Sequence, residues 1–263
     1  MIDAQDHIIS ADNIVFGYSP ALPVLRSVSF TAAAGRMLCI LGPNGSGKTT
    51  LLRCLLGRLK PDKGEILLDG DPIAGYSPKG LASLLAYVPQ IPSSAFAFTV
   101  KELVLMGRFA RTGAMGLAGR NDLAVARQAM VMTDTLDFAE RMISELSGGE
   151  AQRAMIARAL TQQPRVCLLD EPTSHLDIRN QMTIYKMMTR LAHDWKMAVV
   201  CVSHDVNLAA RFADELVIMR EGEVIAAGPP SRVVKHDVLE EAYEVQIDLI
   251  DIPGCDVPLV RAR

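Results

Sequence analysis

Between Leu41 and Leu51 the chain reads Gly42-Pro43-Asn44-Gly45-Ser46-Gly47-Lys48-Thr49-Thr50. The pattern Gly-x4-Gly-Lys-Thr is that of a phosphate-binding loop. It stands where such a loop requires, after an apolar strand-like run (Arg36 to Leu41) and before a helical one. Its glycines let backbone N–H groups turn inward toward phosphate oxygens. The start of the following helix adds partial positive charge. Lys48 has the reach for β- and γ-phosphates, and the Thr49 hydroxyl suits Mg²⁺. Average residue usage makes a chance match an event on the order of one per cent. Alone, the motif predicts a nucleoside triphosphate site and leaves the reaction open.

Val166-Cys167-Leu168-Leu169-Asp170-Glu171 ends an apolar run on two carboxylates, at the strand edge where open α/β sheets bind ligands. Asp170 suits Mg²⁺, in part through water, and Glu171 suits polarising a water that attacks a γ-phosphate. A solvated strand end is the plain alternative. His204, in Ser203-His204-Asp205, follows another apolar run, Met197 to Val202. It contacts the γ-phosphate or the attacking water, or else is an ordinary turn residue. Departure from a strand at the same edge favours the first reading. His7, His175, His193 and His236 lack that context. Leu146-Ser147-Gly148-Gly149-Glu150 reads as a helix start: Ser147 caps it, Glu150 completes a capping box, and the glycines expose N–H groups to an anion.

In this order, these stretches resemble the ABC transporter ATPases over nearly the whole chain. Leu146 to Glu150 is similar to that family's LSGGQ signature, with Glu150 in place of Gln. The resemblance implies that Tyr18 stacks on adenine. It implies that Gln90, in Tyr87-Val88-Pro89-Gln90, ligates Mg²⁺ and senses a membrane partner. Ser174-His175-Leu176-Asp177 matches the D-loop and His204 the switch histidine. The ATP-binding set is then Tyr18, Gly42, Pro43, Asn44, Gly45, Ser46, Gly47, Lys48, Thr49, Thr50, Gln90, Ser147, Gly148, Gly149 and Asp177. Glu171, His204 and Lys48 are the catalytic groups, and Thr49, Gln90 and Asp170 the Mg²⁺ ligands. The resemblance also implies a head-to-tail homodimer. Ser147, Gly148 and Gly149 of one copy close over ATP held by the other, so ATP joins the copies and hydrolysis releases them. His175, where the family usually has a small or amide residue, and Glu150 are departures that bear on that contact.

Thr99 to Arg108 and Val238 to Ile252 resemble importer cassettes for iron-siderophores, haem or cobalamin. An iron chelate is the first expectation for the cargo; an oxyanion such as molybdate, or zinc or manganese, are alternatives. Such a cassette lies peripherally on the cytoplasmic face of the inner membrane. It serves two copies of a polytopic permease and, indirectly, an extracytoplasmic binding protein. A reading from another class is a soluble ABC ATPase for Fe–S assembly or nucleic-acid work. The apolar, Met-rich stretch Ile91 to Met115, with Phe96 and Phe98, is the expected permease groove, and ordinary helical packing is its alternative.

The elements that must position these residues form an α/β chain with a P-loop NTPase core. Its sheet is mostly parallel, with an antiparallel β subdomain and an inserted helical subdomain. Residues 1–263 read as a single ABC ATPase domain. Residues 1–90 and 164–240 make the core with its antiparallel part, 91–163 the helical subdomain with the signature, and 241–263 a tail. Expected strands are Ile8 to Phe16, Arg36 to Leu41, Glu65 to Leu68, Val166 to Leu169 and Met197 to Val202. Leu216 to Met219 and Glu223 to Ala226 form a hairpin, and Val245 to Ile252 a half-exposed strand. Expected helices are Leu51 to Leu59, Thr99 to about Arg108, Asn121 to about Leu136 with Asn121 as cap, Ser147 to Leu160, Asn180 to Trp195, and Val206 to Phe212. Gly17-Tyr18-Ser19-Pro20 reads as a turn and Gly107 to Gly119 as a loop.

Composition narrows the class. A net charge of -3 gives no broad pull toward nucleic acid, and none is expected as a partner. Apolar residues reach 49%, yet no run approaches the ~20 residues of a membrane span. The start MIDAQDHIIS does not read as a secretory signal. Cys39, Cys167 and Cys201 sit in apolar runs without metal or redox spacing, as small buried thiols.

Overall fold

The computed structural model describes residues 7–19, 22–90, 98–112 and 118–263. The chain divides into two compact units, Met1–Gly75 with Met188–Arg263, and Tyr76–Met187. In the first unit, β1 (His7–Ser19) and β2 (Leu22–Ala33) pair antiparallel. With β4 (Lys63–Leu68) and β5 (Asp71–Pro72) they form a sheet ordered β2-β1-β4-β5. The expected turn at Gly17-Tyr18-Ser19 is instead the end of β1. Pairing continues through Gly17↔Pro23 and Ser19↔Leu22, and the Gly17 N–H is held by Asp62 Oδ2 at 2.9 Å. Pro20 lies outside the described residues.

The same unit holds β3 (Met37–Leu41), β8 (Ala198–Val202), β9 (Glu215–Arg220) and β10 (Glu223–Gly228). β3 runs parallel to both β8 and β9, and β10 turns back antiparallel on β9. Every residue of β3 and β8 is buried. That explains their unbroken apolar runs: a parallel strand covered on both faces has no solvent side to mark by alternation. Helix α1 (Lys48–Leu55) begins earlier and ends earlier than the expected Leu51 to Leu59. Gly47 supplies the N-cap, and the Gly57 N–H bonding to the Cys54 carbonyl at 2.9 Å turns the chain out of the helix. The C-terminal part adds α8 (Val206–Phe212), α9 (Pro230–Val233) and α10 (His236–Tyr243). The expected tail strand is present as β11 (Ile247–Ile250), paired antiparallel with β12 (Leu259–Ala262).

The second unit contains α2 (Pro78–Leu84), β6 (Leu85–Val88) and β7 (Val166–Asp170), the two strands parallel. Between them in sequence come α3 (Val100–Met106), α4 (Phe109–Thr112), α5 (Arg120–Met132) and α6 (Gly148–Leu160). Thr99 caps α3 in the expected box: its hydroxyl accepts the Glu102 N–H (3.2 Å), and Glu102 Oε2 accepts the Thr99 N–H (2.8 Å). Part of the expected loop from Gly107 is helix α4, and residues 113–117 lie outside the described residues. Asn121 does not cap α5. The helix starts at Arg120, because Asp122 Oδ2 takes the Gly119 N–H at 2.9 Å and Gly119 becomes the N-cap. α5 ends at Met132, where the buried Thr133 hydroxyl bonds back to the Ala129 carbonyl (3.0 Å). α7 (Ile178–Trp195) carries the chain back to the first unit, starting two residues before the expected Asn180 because Asp177 Oδ1 caps the Asn180 N–H at 2.7 Å. Among the described residues no helix is long and apolar enough to cross a membrane.

The helices of the second unit are fastened at Arg108. Its buried guanidinium donates to Asp122 Oδ1 (2.8 Å), the Thr161 carbonyl (2.7 Å) and Gln163 Oε1 (3.1 Å). That joins the ends of α3 and α6 to the start of α5. Gly107 lets α3 approach α6: a Cβ there would lie 2.0 Å from Thr161 Oγ1 and 2.1 Å from the Arg158 carbonyl oxygen. The Arg158 atom is backbone, so a helix must move. Gly107→Ala is therefore expected to destabilise the protein by about 1–3 kcal/mol, seen as a lowered Tm in thermal unfolding. An unchanged Tm would show that the close approach does not matter.

Candidate nucleotide site

In the first unit, β3 runs directly into Gly42. Its carbonyl-side neighbour is the end of β9, close enough that a Cβ on Gly42 (φ 146°) would sit 2.1 Å from the Met219 carbonyl oxygen. Only glycine fits there. The loop folds over Lys48, which is 5% exposed. Its ammonium donates to the carbonyls of Gly42 (2.7 Å) and Pro43 (2.8 Å). α1 has no side-chain cap and no acidic residue in its first turn, so no carboxylate of that turn competes for its terminal N–H groups. Thr49 is exposed and Thr50 buried at that helix start. Tyr18 is 60% exposed. Its ring packs edge-on against Phe16 (centroids 5.1 Å apart), and its hydroxyl takes a bond from Arg53 (3.1 Å) and lies 3.5 Å from Thr50 Oγ1. The Thr50 contact, ahead of Arg53, draws the phenol pKa below its usual value. Ile40 pairs with Val202, so Gly42 and His204 leave adjacent parallel strands at one edge. His204 is exposed there, and Asp205 behind it caps α8 by accepting the Leu208 N–H at 2.8 Å.

In the second unit the register Val88↔Leu169 sends Gln90 and the Asp170–Glu171 pair out of one edge together. Gln90 Nε2 donates to Glu171 Oε2 (3.3 Å) and to Ser174 Oγ (3.2 Å). Asp170 is largely buried and accepts the Tyr87 hydroxyl on Oδ2 (3.2 Å). Glu171 sits at φ 46°, an uncommon conformation for a residue with a side chain. The Ser174 N–H (3.1 Å) and hydroxyl (3.0 Å) both bond to its carbonyl and hold it there. From the sequence, Tyr87 and Ser174 are named only as parts of the Gln90 and D-loop stretches, with no role of its own for either hydroxyl. Tyr87 lies inside a strand, and only the pairing of β6 with β7 turns it onto Asp170. Asp177 and His175 are exposed, His175 at φ 62°.

Thr49, Gln90 and Asp170 present a hydroxyl, an amide and a carboxylate. This is the all-oxygen chemistry that suits Mg²⁺. Among the described residues no group of three or more His, Cys, Asp or Glu could hold a metal.

The start of α6 is exposed at Ser147 and Gly148 and capped as expected, with one addition. Glu150 Oε2 accepts both the Ser147 N–H (2.8 Å) and the Ser147 hydroxyl (2.7 Å). The helix start thus already carries a carboxylate of its own. These Ser147 bonds, backbone first, hold the Glu150 carboxyl below the usual glutamate range. A depressed folded pKa contributes stability that is complete above the ordinary glutamate pKa and lost as pH falls through the folded value. Glu150→Ala should lower stability by about 1 kcal/mol at neutral pH. Its Tm difference from the unaltered protein should shrink below roughly pH 4. A difference that persists undiminished in acid would show that the carboxylate bonds are not its source.

The family model described as ABC transporter matches residues 25–174. The hemin import ATP-binding protein HmuV of Rhizobium meliloti is 40% identical over 245 residues, covering 90% of this chain and 92% of that protein. HmuV of Escherichia coli O157:H7 is 39% identical over 259 residues, covering 96% and 98%. The ABC transporter ATP-binding protein YvrA of Bacillus subtilis is 38% identical over 253 residues; the match takes in 96% of this chain and 57% of that longer relative. Among solved structures, one described as an ABC transporter of metal-chelate type, in an inward-facing conformation, aligns with TM-score 0.85 at 28% identity, covering 98% of this chain and 97% of its own. CbiO1 of Clostridium perfringens aligns with TM-score 0.80 at 29% identity over 90% and 94%. With the phosphate loop, the acidic pair and the capped signature helix all in place, the chain belongs to the ABC transporter family, as an ATP-binding subunit and an ATPase.

Proposed function

We propose that this chain hydrolyses ATP for an importer of haem or a closely related metal chelate. The observation that carries the cargo class is the similarity along nearly the whole chain to two hemin import ATP-binding proteins, at 39 and 40% identity. The alignment with a transporter described as of metal-chelate type supports the same class.

In this reading the exposed Tyr18 ring stacks on adenine, and the N–H groups from Gly42 to Thr50 hold the phosphates. Lys48 exchanges its loop carbonyls for β- and γ-phosphate oxygens. Thr49, Gln90 and Asp170 hold Mg²⁺, which when bound neutralises charge on the β- and γ-phosphates. Glu171 accepts a hydrogen bond from the attacking water and draws its proton away; the Gln90 amide on Oε2 orients that carboxylate. His204 donates to the γ-phosphate as negative charge develops there. Two copies of the chain pair head to tail, so Ser147, Gly148, Gly149 and Asp177 of one copy meet the ATP of the other. To bond a phosphate, the Ser147 hydroxyl gives up Glu150. The pair sits peripherally on the cytoplasmic face of the inner membrane under two copies of a polytopic permease, with an extracytoplasmic binding protein acting through it. Of the expected permease groove, Phe96 lies outside the described residues, while Phe98 and Phe109 are exposed.

Glu171→Gln keeps the shape of the side chain and removes its basicity. It should bind ATP, lose turnover by about 10²–10⁴-fold and accumulate as an ATP-bound dimer in size-exclusion chromatography. Undiminished turnover would reject Glu171 as the base. Ser147→Arg should block closure, and full ATPase activity in that variant would reject the two-copy site. For the cargo, a strain lacking the gene should fail to use haem as its iron source. The unaltered gene should restore growth and the Glu171→Gln gene should not; haem use without the gene would overturn the assignment.

A further inference from the structure

The pairing of β6 with β7 brings to Asp170 one side chain that the proposed mechanism does not use. Tyr87 stands opposite Leu168 in the parallel ladder, and side chains alternate between faces along a strand. Leu168 and Asp170 therefore share a face, and Tyr87 lies on that same face of the neighbouring strand. Two residues of strand rise by about 6.6 Å, a span that a tyrosine ring with its hydroxyl can cross. The hydroxyl arrives on Asp170 Oδ2, to which it donates at 3.2 Å. A phenylalanine would fill the same place without a donor.

The register that makes this contact has little freedom. The Arg165 N–H bonds to the Leu84 carbonyl at 2.7 Å where the ladder begins, and every residue of β7 is buried. A slip by one residue would turn Asp170 to the opposite face. Asp170 itself is 8% exposed, so protein donors stand in for much of the water that would otherwise solvate it. Three residues after Tyr87, Gln90 Nε2 donates to Glu171 Oε2 at 3.3 Å. The stretch from Tyr87 to Gln90 thus places one donor on each carboxylate of the acidic pair.

We propose that Tyr87 is a positioning residue for the metal: its hydroxyl fixes the rotation of the Asp170 carboxylate and so favours Mg²⁺ over larger divalent cations. The inference rests on the Mg²⁺ role proposed above for Asp170. Its physical basis is what each ion demands of a ligand. Mg²⁺ requires near-ideal octahedral geometry at about 2.0–2.1 Å, whereas Ca²⁺ accepts about six to eight oxygens at roughly 2.3–2.6 Å in looser arrangements. A carboxylate held by a neighbouring donor is set for the first ion; one that turns suits the second as well. Hydrogen-bond partners of metal ligands typically govern metal affinity by roughly 10–100-fold. At 3.2 Å the Tyr87 bond is long for a hydroxyl on a carboxylate, so the lower end of that range is expected.

The test follows binding of a fluorescent ATP analogue to the full chain while Mg²⁺ or Ca²⁺ is titrated. The unaltered chain, Tyr87→Phe and Asp170→Asn are compared. The analogue's own affinity for each ion is common to all three, so differences between them belong to the protein. Tyr87→Phe should raise the Mg²⁺ concentration for half-maximal binding about tenfold. It should raise the Ca²⁺ concentration by about twofold at most, so that the preference for Mg²⁺ falls about fivefold. A role in folding alone would lower Tm and leave that preference in place. Equal shifts for the two ions in Tyr87→Phe, or no shift for either, would overturn the inference. If Asp170→Asn leaves the Mg²⁺ dependence as it is, the metal role proposed for Asp170 fails and the inference falls with it. A shift in Asp170→Asn with none in Tyr87→Phe rejects Tyr87 alone.

Discussion

A short strand buried on both faces leaves its polar chemistry to the residues just beyond its ends. β3 and β8 are five residues each and wholly buried. Their parallel register, Ile40 opposite Val202, makes Gly42 and His204 emerge side by side. β6 and β7 obey the same rule, with Val88 opposite Leu169, and deliver Gln90 beside Glu171. A slip of one residue in either pair would reverse which face each side chain meets. Within each unit the candidate residues are therefore brought together by parallel pairing between apolar segments far apart in sequence, and the loops that follow inherit their positions from it.

The two helix starts that matter are built differently. α1 begins after a glycine, with no side-chain cap and no acid in its first turn, so no carboxylate of that turn offsets the partial positive charge of its N-terminus. α6 begins with a complete capping box, and Glu150 places a carboxylate on the Ser147 N–H and hydroxyl. Both read as anion-seeking in sequence. The second already has an anion of its own, so any phosphate arriving there competes with Glu150. The usual Gln at that position would bring the same capping geometry without the charge.

Much of this was legible in the residues. The phosphate loop, the Asp170–Glu171 strand end, the Thr99 and Ser147 capping boxes and the buried thiols Cys39, Cys167 and Cys201 all carry local signals. The errors fell where a local signal had a rival. Asn121 is a good N-cap by type, but Asp122 reached the Gly119 N–H first. Gly17-Tyr18-Ser19 has turn composition, yet ladder pairing with β2 carried β1 through it. Tyr87 sent no local signal of its hydroxyl's partner, since a tyrosine in an apolar segment looks like core until its hydroxyl's surroundings are known.

By itself the sequence determined which residues could do phosphate chemistry and the order in which they come. That information is held in spacing along the backbone: glycines before a lysine, carboxylates after an apolar run, a serine three residues before a glutamate. Only the tertiary structure decided which of them share an edge, which carbonyls hold Lys48, and that Gln90 bonds Glu171 while Tyr87 bonds Asp170. The Gln90–Glu171 and Tyr87–Asp170 contacts join residues 81 and 83 positions apart. They depend on strand register, which neighbouring residues in the sequence do not encode.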